Sequence, residues 1–332
     1  MTEYSYNVVG IGNAIVDIIT RCDNAFLSNH GMEKGFMQLI SAGQADGIYG
    51  DMGPATEQSG GSAANTCAGI ASFGGKSAFI GRVAGDQFGK VFAHDIRSIG
   101  VAYDTPASDA GLPTARCLVL VSDDGERTMN TFLGASTQLG AGDINADLIA
   151  SAQITYLEGY LFDKEEAKTA FHEAARLARA AGRKVALSLS DAFCVDRHRD
   201  DFLGLVRGGV DILFANETEI TSLYQMNNFE DAAGKVRAEC EIAVLTRSED
   251  GSVIISGNET IRVKASPVAR VEDATGAGDL YAAGFLFGLT GGHSLETCGH
   301  LGALAASEII SHIGARPEAN LNRLAKEEGL LG

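Results

Sequence analysis

Short apolar runs alternate with stretches of helical length along most of this chain, and that rhythm constrains its fold more than any other feature. Lys76 to Val83 reads as a strand and Phe88 to Ile99 as a helix closed by Gly100. The pattern resumes with Ile154 to Leu157 as strand, Glu165 to Ala181 as helix, then Lys184 to Leu189, Asp211 to Ala215 and Ile242 to Thr246 as strands. Strands separated by helices need crossover connections, so a mostly parallel sheet covered by helices is the economical reading. Tyr6 to Gly10 reads as a further buried strand. Residues 62 to 74 read as a helix, with Ser62 as N-cap and Gly74-Gly75 as terminator. The stretches 276 to 290 and 296 to 312, rich in Ala, Gly and Leu, predict two consecutive close-packed helices.

Two segments break the rhythm. Ala115 to Val121 and Thr128 to Leu133 alternate around the turn-rich Ser122-Asp123-Asp124-Gly125-Glu126, which predicts a hairpin outside the main sheet. Residues 17 to 58 also lack the strand and helix alternation. The expectation is one domain over 1–332, with a small β-rich lid inserted into it at about 14–58 and 102–134.

A formal net charge of −17 disfavours binding to a nucleic-acid backbone or an anionic membrane, and no Lys/Arg cluster offsets it. A small phosphorylated molecule needs only local backbone donors and remains compatible. Cys22, Cys67, Cys117, Cys194, Cys240 and Cys298 are widely spaced, without C-x-x-C or zinc spacing, and read as reduced thiols. The apolar run Val8 to Ile19 is interrupted by Asn13 and Asp17, lacks a basic leader and is too short to span a bilayer, so the expected setting is cytoplasmic. Oligomeric state, monomer or homodimer, stays open.

Chemistry concentrates at Gly276-Ala277-Gly278-Asp279, at an expected helix start. Unpaired amides there favour an anion, small side chains let a phosphate approach the backbone, and Asp279 can accept a hydroxyl proton. A tight turn with an N-terminal helix acid is the plain alternative. No Gly-x4-Gly-Lys-Ser/Thr P-loop occurs. Gly10-x-Gly12 has Ile15 where a dinucleotide fingerprint needs its third glycine.

Asp273 to Asp279, together with Gly60-Gly61-Ser62-Ala63-Ala64-Asn65, the run Gly81 to Gly89 and Asn216-x-x-Glu219, resembles the ribokinase-like, or PfkB-type, sugar and nucleoside kinases. The resemblance covers nearly the whole chain. It implies an open α/β fold with a mostly parallel sheet, ATP as phosphoryl donor and a small-molecule nucleoside or sugar acceptor. Asp279 would be the base, with Gly276, Ala277 and Gly278 as anion hole. Asn13, Asp17, Gly60, Gly61 and Asn65 would bind the acceptor. Asn216 and Glu219 would organise magnesium through water, and Thr246, Gly251, Ala303 and Ala306 would line the nucleotide.

Asp273, Thr275 and Gly314-Ala315-x-Pro317 resemble elements that hold a monovalent cation, such as potassium, in some relatives. Gly12 to Asp17 resembles the adenosine-kinase branch, which implies transfer to a nucleoside 5'-hydroxyl. A kinase of ribose, fructose or ketodeoxygluconate, or a non-catalytic nucleoside sensor, are the alternatives. Two departures stand out. Thr246-Arg247-Ser248 puts Ser248 where the family has glycine, and the aromatic that stacks the base has Tyr160, Leu161 and Phe162 as candidates in open register.

Overall fold

The computed structural model describes residues 4–109 and 111–332. In chain order its strands are β1 (Tyr6–Ile11), β2 (Ile15–Arg21), β3 (Met37–Leu39), β4 (Thr56–Gly60), β5 (Ser77–Ile80), β6 (Ala115–Val121) and β7 (Arg127–Phe132). They continue with β8 (Ala152–Glu158), β9 (Lys184–Ser188), β10 (Ile212–Asn216), β11 (Ile242–Thr246), β12 (Ser252–Ser256) and β13 (Glu259–Val263). Eight of them form one sheet in the order β13-β12-β11-β10-β9-β8-β1-β5. It is parallel from β5 to β11 and ends in the antiparallel pair β12 and β13. The mostly parallel sheet is as the strand-helix alternation predicts.

Because the sheet is covered on both faces, its strands bury alternate residues in two cores. Val8 and Tyr156 pack on one side with Leu280 and Phe285 of the Ala277–Thr290 helix. Val9, Ile11 and Leu157 pack on the other with Phe171 of the Glu165–Ala180 helix. Strand β1 has β5 on one side and β8 on the other, so the chain's path across the sheet reverses there. Parallel α/β sheets open a ligand crevice outside the carboxyl ends of strands at such a point.

The other five strands form a second sheet, in the order β3-β7-β6-β2-β4. Strand β2 begins at Ile15, so Asn13 to Asp17 is not simply a polar stretch past the end of β1; Asp17 lies inside a strand, opposite Cys117 of β6. The helix read over 62 to 74 runs Ser62–Ser72, and its N-cap is Gly61 rather than Ser62. Ser62 is instead the first helical residue, which frees its hydroxyl for another partner. Helices Ala192–Arg197, Arg199–Gly209, Glu217–Tyr224 and Phe229–Val236, and strands β12 and β13, were not anticipated. Among the described residues all six cysteines are free, and no helix is long and apolar enough to cross a membrane.

Candidate active site

The Ala277–Thr290 helix starts behind Gly276, which has φ 79° and ψ −1° and supplies no capping side chain. A residue in this left-handed conformation strongly favours glycine. A Cβ on Gly278 would meet open space, so the first amides of the helix face a free approach. Four N–H groups at a helix start lack internal partners, and the helix dipole adds positive potential. Asp279 stands in this first turn. Its Oδ1 accepts from Ser62 Oγ at 2.6 Å and its Oδ2 from Asn65 Nδ2 at 2.9 Å.

Burial raises the Asp279 pKa above the ordinary carboxylate range; the Ser62 and Asn65 hydrogen bonds and the Arg316 charge offset only part of that. Thr66 Oγ1 donates to the Asp279 carbonyl at 3.1 Å, tying the two helix starts together. Asn65 is buried, and its Oδ1 has no protein partner. A buried acceptor left open carries a desolvation cost of about 1–3 kcal/mol, which a ligand hydroxyl would remove.

Asp17, on β2, lies in the field of Asp279. Its alternation partners Ile15 and Ile19 lie in a small apolar cluster with Cys117, Val119 and Ile313, so burial dominates and pushes its pKa to about 6. Arg316 and Arg127 pull it back down, and Asp279 adds to the rise. A Cβ on Gly60 would sit 2.2 Å from Asp17 Oδ2, and one on Gly61 would sit 2.0 Å from the Asn13 carbonyl oxygen. Gly61 also has φ 100°. Both glycines are thus fixed by close approach, Gly60 to the Asp17 carboxylate of β2 and Gly61 to the Asn13 carbonyl of the β1–β2 turn.

Glu158, at the end of β8, is a site residue that spacing alone did not single out. It is 1% exposed. Its Oε1 accepts from Asn13 Nδ2 at 2.7 Å and its Oε2 from the Ala63 amide at 2.8 Å. It therefore holds both Asn13 and the start of the Ser62–Ser72 helix; burial, with Asp279 nearby, pushes its pKa to about 7.

Asn216 and Glu219 form a reciprocal capping box at the start of the Glu217–Tyr224 helix. The Glu219 amide donates to Asn216 Oδ1 at 2.8 Å, while Glu219 Oε2 accepts from the Asn216 amide at 2.9 Å and Oε1 from Asn216 Nδ2 at 2.7 Å. Helix capping accounts for the spacing by itself. It does not account for the charge: Glu219 is buried and lies in the field of Asp191 and Asp279, which with burial pushes its pKa to about 7.

Residues 51–321 match the pfkB family carbohydrate kinase model. This chain belongs to the PfkB kinase family. A probable sugar kinase from Rhizobium etli CFN 42 is 51% identical, with TM-score 0.91 over 99% of this chain and 100% of that one. Adenosine kinase from Sinorhizobium meliloti is 53% identical, with TM-score 0.90 over 97% of this chain and 99% of that one. A 5-dehydro-2-deoxygluconokinase from Shouchella clausii is 26% identical over 92% of this chain and 90% of its own length. Probable fructokinase-6 of Arabidopsis thaliana is 30% identical over 71% of this chain, and the match spans 63% of that protein, under two thirds of its length. PfkB membership makes ATP the phosphoryl donor and a small molecule the acceptor.

On the nucleotide side this PfkB kinase is less tightly specified. Thr246 ends β11 directly beside Asn216 of β10, at the carboxyl edge of the sheet. Gly251 has φ 84°, and a Cβ there would lie 2.1 Å from the Val263 carbonyl oxygen, so the turn into β12 already requires glycine without any ligand. Ala303 is buried in the core and Ala306 packs against it, so core packing accounts for both. Ser248, the departure from the family glycine, has φ 48°. A left-handed non-glycine costs about 1–2 kcal/mol, part of which glycine's larger unfolded-state entropy offsets. Ser248→Gly is expected to raise stability by about 0.5–1 kcal/mol, read as a higher denaturant midpoint; a lower midpoint would contradict the strain argument.

Magnesium and potassium fit this donor set differently. Among the described residues no three His, Cys, Asp or Glu side chains gather as a metal cage. Glu219, a buried carboxylate in the field of two other acids, suits a cation that keeps its waters and is held mainly by substrate phosphate. The Asp273 carboxylate, by contrast, is paired with the Arg127 guanidinium at 2.6 Å, so a potassium ion at this loop would be held by backbone carbonyls rather than by that carboxylate.

Proposed function

We propose that this kinase transfers the γ-phosphoryl group of ATP to the 5'-hydroxyl of a nucleoside, adenosine above all, by direct in-line displacement. The observation that carries the reading is Asp279: a carboxylate with a raised pKa, set in the first turn of an uncapped helix and held by Ser62 and Asn65. Asp279 takes the hydroxyl proton as the bond from the 5'-oxygen to the γ-phosphorus forms and the bond to the β,γ-bridging oxygen breaks, releasing ADP. The amides of Ala277, Gly278 and Asp279 face the phosphoryl oxygens.

Asp17 and the open Asn65 Oδ1 receive the sugar hydroxyls, with Gly60 and Gly61 leaving room and Asn13 lining the turn. When bound, magnesium supplies charge neutralisation at the phosphates; Glu219, oriented by Asn216, would hold it through water. The second sheet, as a lid, excludes water from the transfer. Of the three aromatic-register candidates, Leu161 and Phe162 are buried while Tyr160 is 42% exposed, so Tyr160 is the one free to stack on a base.

Adenosine is favoured because identity to the Sinorhizobium meliloti adenosine kinase, 53%, is about twice that to the gluconokinase relative, 26%. The rival acceptor is a free sugar, a reading supported by the description of the 51% identical Rhizobium etli protein as a probable sugar kinase. 5'-Deoxyadenosine is expected to compete with adenosine without stimulating ADP release; ADP release driven by it would contradict transfer to the 5'-oxygen.

The pH dependence follows from the same carboxylates. Only ionised Asp279 accepts a proton, and its pKa is raised, so kcat/KM should fall on acidification before the ordinary aspartate value of about 4 is reached. Protonation of Asp17, whose pKa is pushed to about 6, steepens the loss in the same direction. A profile flat down to about pH 4.5, below the range these raised values predict, would contradict the assignment.

A further inference from the structure

Arg316 lies in the loop after the Leu295–Ile309 helix and takes no part in the transfer step above. It ties down a segment some 250 residues earlier in the chain. Its Nε and Nη2 donate to the Ser59 carbonyl at 2.9 and 2.7 Å, its Nη2 also to Ser59 Oγ at 3.0 Å, and its Nη1 to the Ala64 carbonyl at 2.6 Å. Ser59 is fully buried and is held from its other side by Asp95 of the Gln87–Ser98 helix. Asp95 Oδ2 accepts from the Ser59 amide at 2.7 Å and from its Oγ at 2.5 Å.

Between the two tethered carbonyls stand Gly60-Gly61-Ser62-Ala63, and Asn65 follows directly. Gly60 and Gly61 have no side chains with which to fix this turn, and glycine is the most permissive residue, so the turn needs ties from outside. At the other end, Ala315 precedes Arg316, and its Cβ lies 3.1 Å from where a Cβ on Gly276 would sit. The guanidinium therefore reaches from the loop packed behind the start of the Ala277–Thr290 helix to the turn that leads into the Ser62–Ser72 helix. Its positive charge also acts on both Asp17 and Asp279, favouring their ionised forms.

We propose that Arg316 is a positioning residue for the acceptor: by tethering the Ser59 and Ala64 carbonyls to the loop behind Gly276, it holds Gly60, Gly61 and Asn65 in register with the helix start that receives the phosphate. A planar fork suits this task, since one group serves two carbonyls at fixed angles, which a point-like ammonium does less well. The activity half of this inference rests on the kinase reading above; the structural half does not.

The test uses the full chain carrying Arg316→Met or Arg316→Lys, assayed with adenosine at about pH 8.5 to favour ionised Asp17 and Asp279 in every variant. Arg316→Met is expected to raise acceptor KM by about tenfold or more, with kcat and ATP KM each moving less than about threefold, the split expected when a binding turn loses its charge-assisted ties. Arg316→Lys should give a smaller rise in acceptor KM, because it keeps the charge but not the fork. Amide hydrogen exchange across residues 60–65 should be faster by about tenfold or more in the Met variant, while exchange in β10 stays as in wild type.

An unchanged acceptor KM, or a loss shared equally by kcat and ATP KM, would overturn the proposal. So would exchange that speeds as much in β10 as at 60–65, which is a general loss of stability. If wild-type protein forms no AMP from adenosine, the function reading fails, while exchange at 60–65 still decides whether Arg316 holds the turn. Should the Met variant not fold, Arg316→Lys carries the same comparisons: acceptor KM and exchange at 60–65 both rise in it, or the proposal fails.

Discussion

Asp279→Ala is expected to lower kcat by about 10² to 10⁴, the usual worth of a positioned general base, while leaving ATP affinity nearly unchanged. The amides of the Ala277–Thr290 helix and the glycines before it do not depend on the carboxylate, so the phosphate cradle survives the substitution. The loss should therefore fall on the chemical step. Ser62 and Asn65 lose their shared acceptor in this variant, so stability needs to be followed by thermal melting alongside the rate. Asp279→Asn keeps the shape and most of the hydrogen bonding but not the basicity, and should be impaired to a similar degree. Turnover near wild type in either variant would remove Asp279 from the mechanism.

Asp17→Ala should act on the other half of the site. Two hydrogen bonds from sugar hydroxyls to an ionised carboxylate are worth about 1.5–3 kcal/mol each, so acceptor KM should rise by about 10²-fold or more if they are equally strong in ground and transition states. Stability should move the opposite way in Asp17→Asn. A carboxyl group whose folded pKa is raised from 3.8 to about 6 favours the folded state below pH 4, and that contribution is lost as pH rises through 6. Above pH 6 the ionised Asp17 is a burden on the fold. Removing its charge should stabilise the protein without ligand by on the order of 1–3 kcal/mol at pH 8. A variant with unchanged acceptor KM would sink the binding role; one that is less stable at pH 8 would contradict the account of Asp17 as a strained, substrate-directed charge.

The main sheet was legible because its strands are continuous apolar runs, such as Ile212-Leu213-Phe214-Ala215, a pattern set by burial on both faces. Strand β2 was harder to read for a functional reason. It buries Val16 and Ile18 on one face, and on the other the Asp17 carboxylate stands between the half-buried Ile15 and Ile19, so the site itself interrupts an otherwise apolar run. Ser62 shows a similar conflict. Serine before a run of small residues signals an N-cap, yet Gly61 takes that position and the hydroxyl turns to Asp279.

Glu158 and Arg127 could not be found from local spacing at all. The partners of Glu158 stand 145 and 95 residues away in the chain, and Arg127 of β7 meets Asp273 in the loop ahead of the Ala277–Thr290 helix. Only the strand order brings them together. Gly251 illustrates the converse: its φ of 84° and the Val263 carbonyl require glycine there whether or not a nucleotide lies beside it.

The central claim is best tested by incubating the purified protein with ATP and magnesium and, in parallel, adenosine, other nucleosides, ribose, fructose and ketodeoxygluconate, with products identified by mass and counted against ADP. Adenosine should give AMP and ADP in equal amounts, with a kcat/KM exceeding that of every free sugar. Phosphorylation of a sugar in preference to adenosine, or ADP formation with none of these acceptors, would contradict the account.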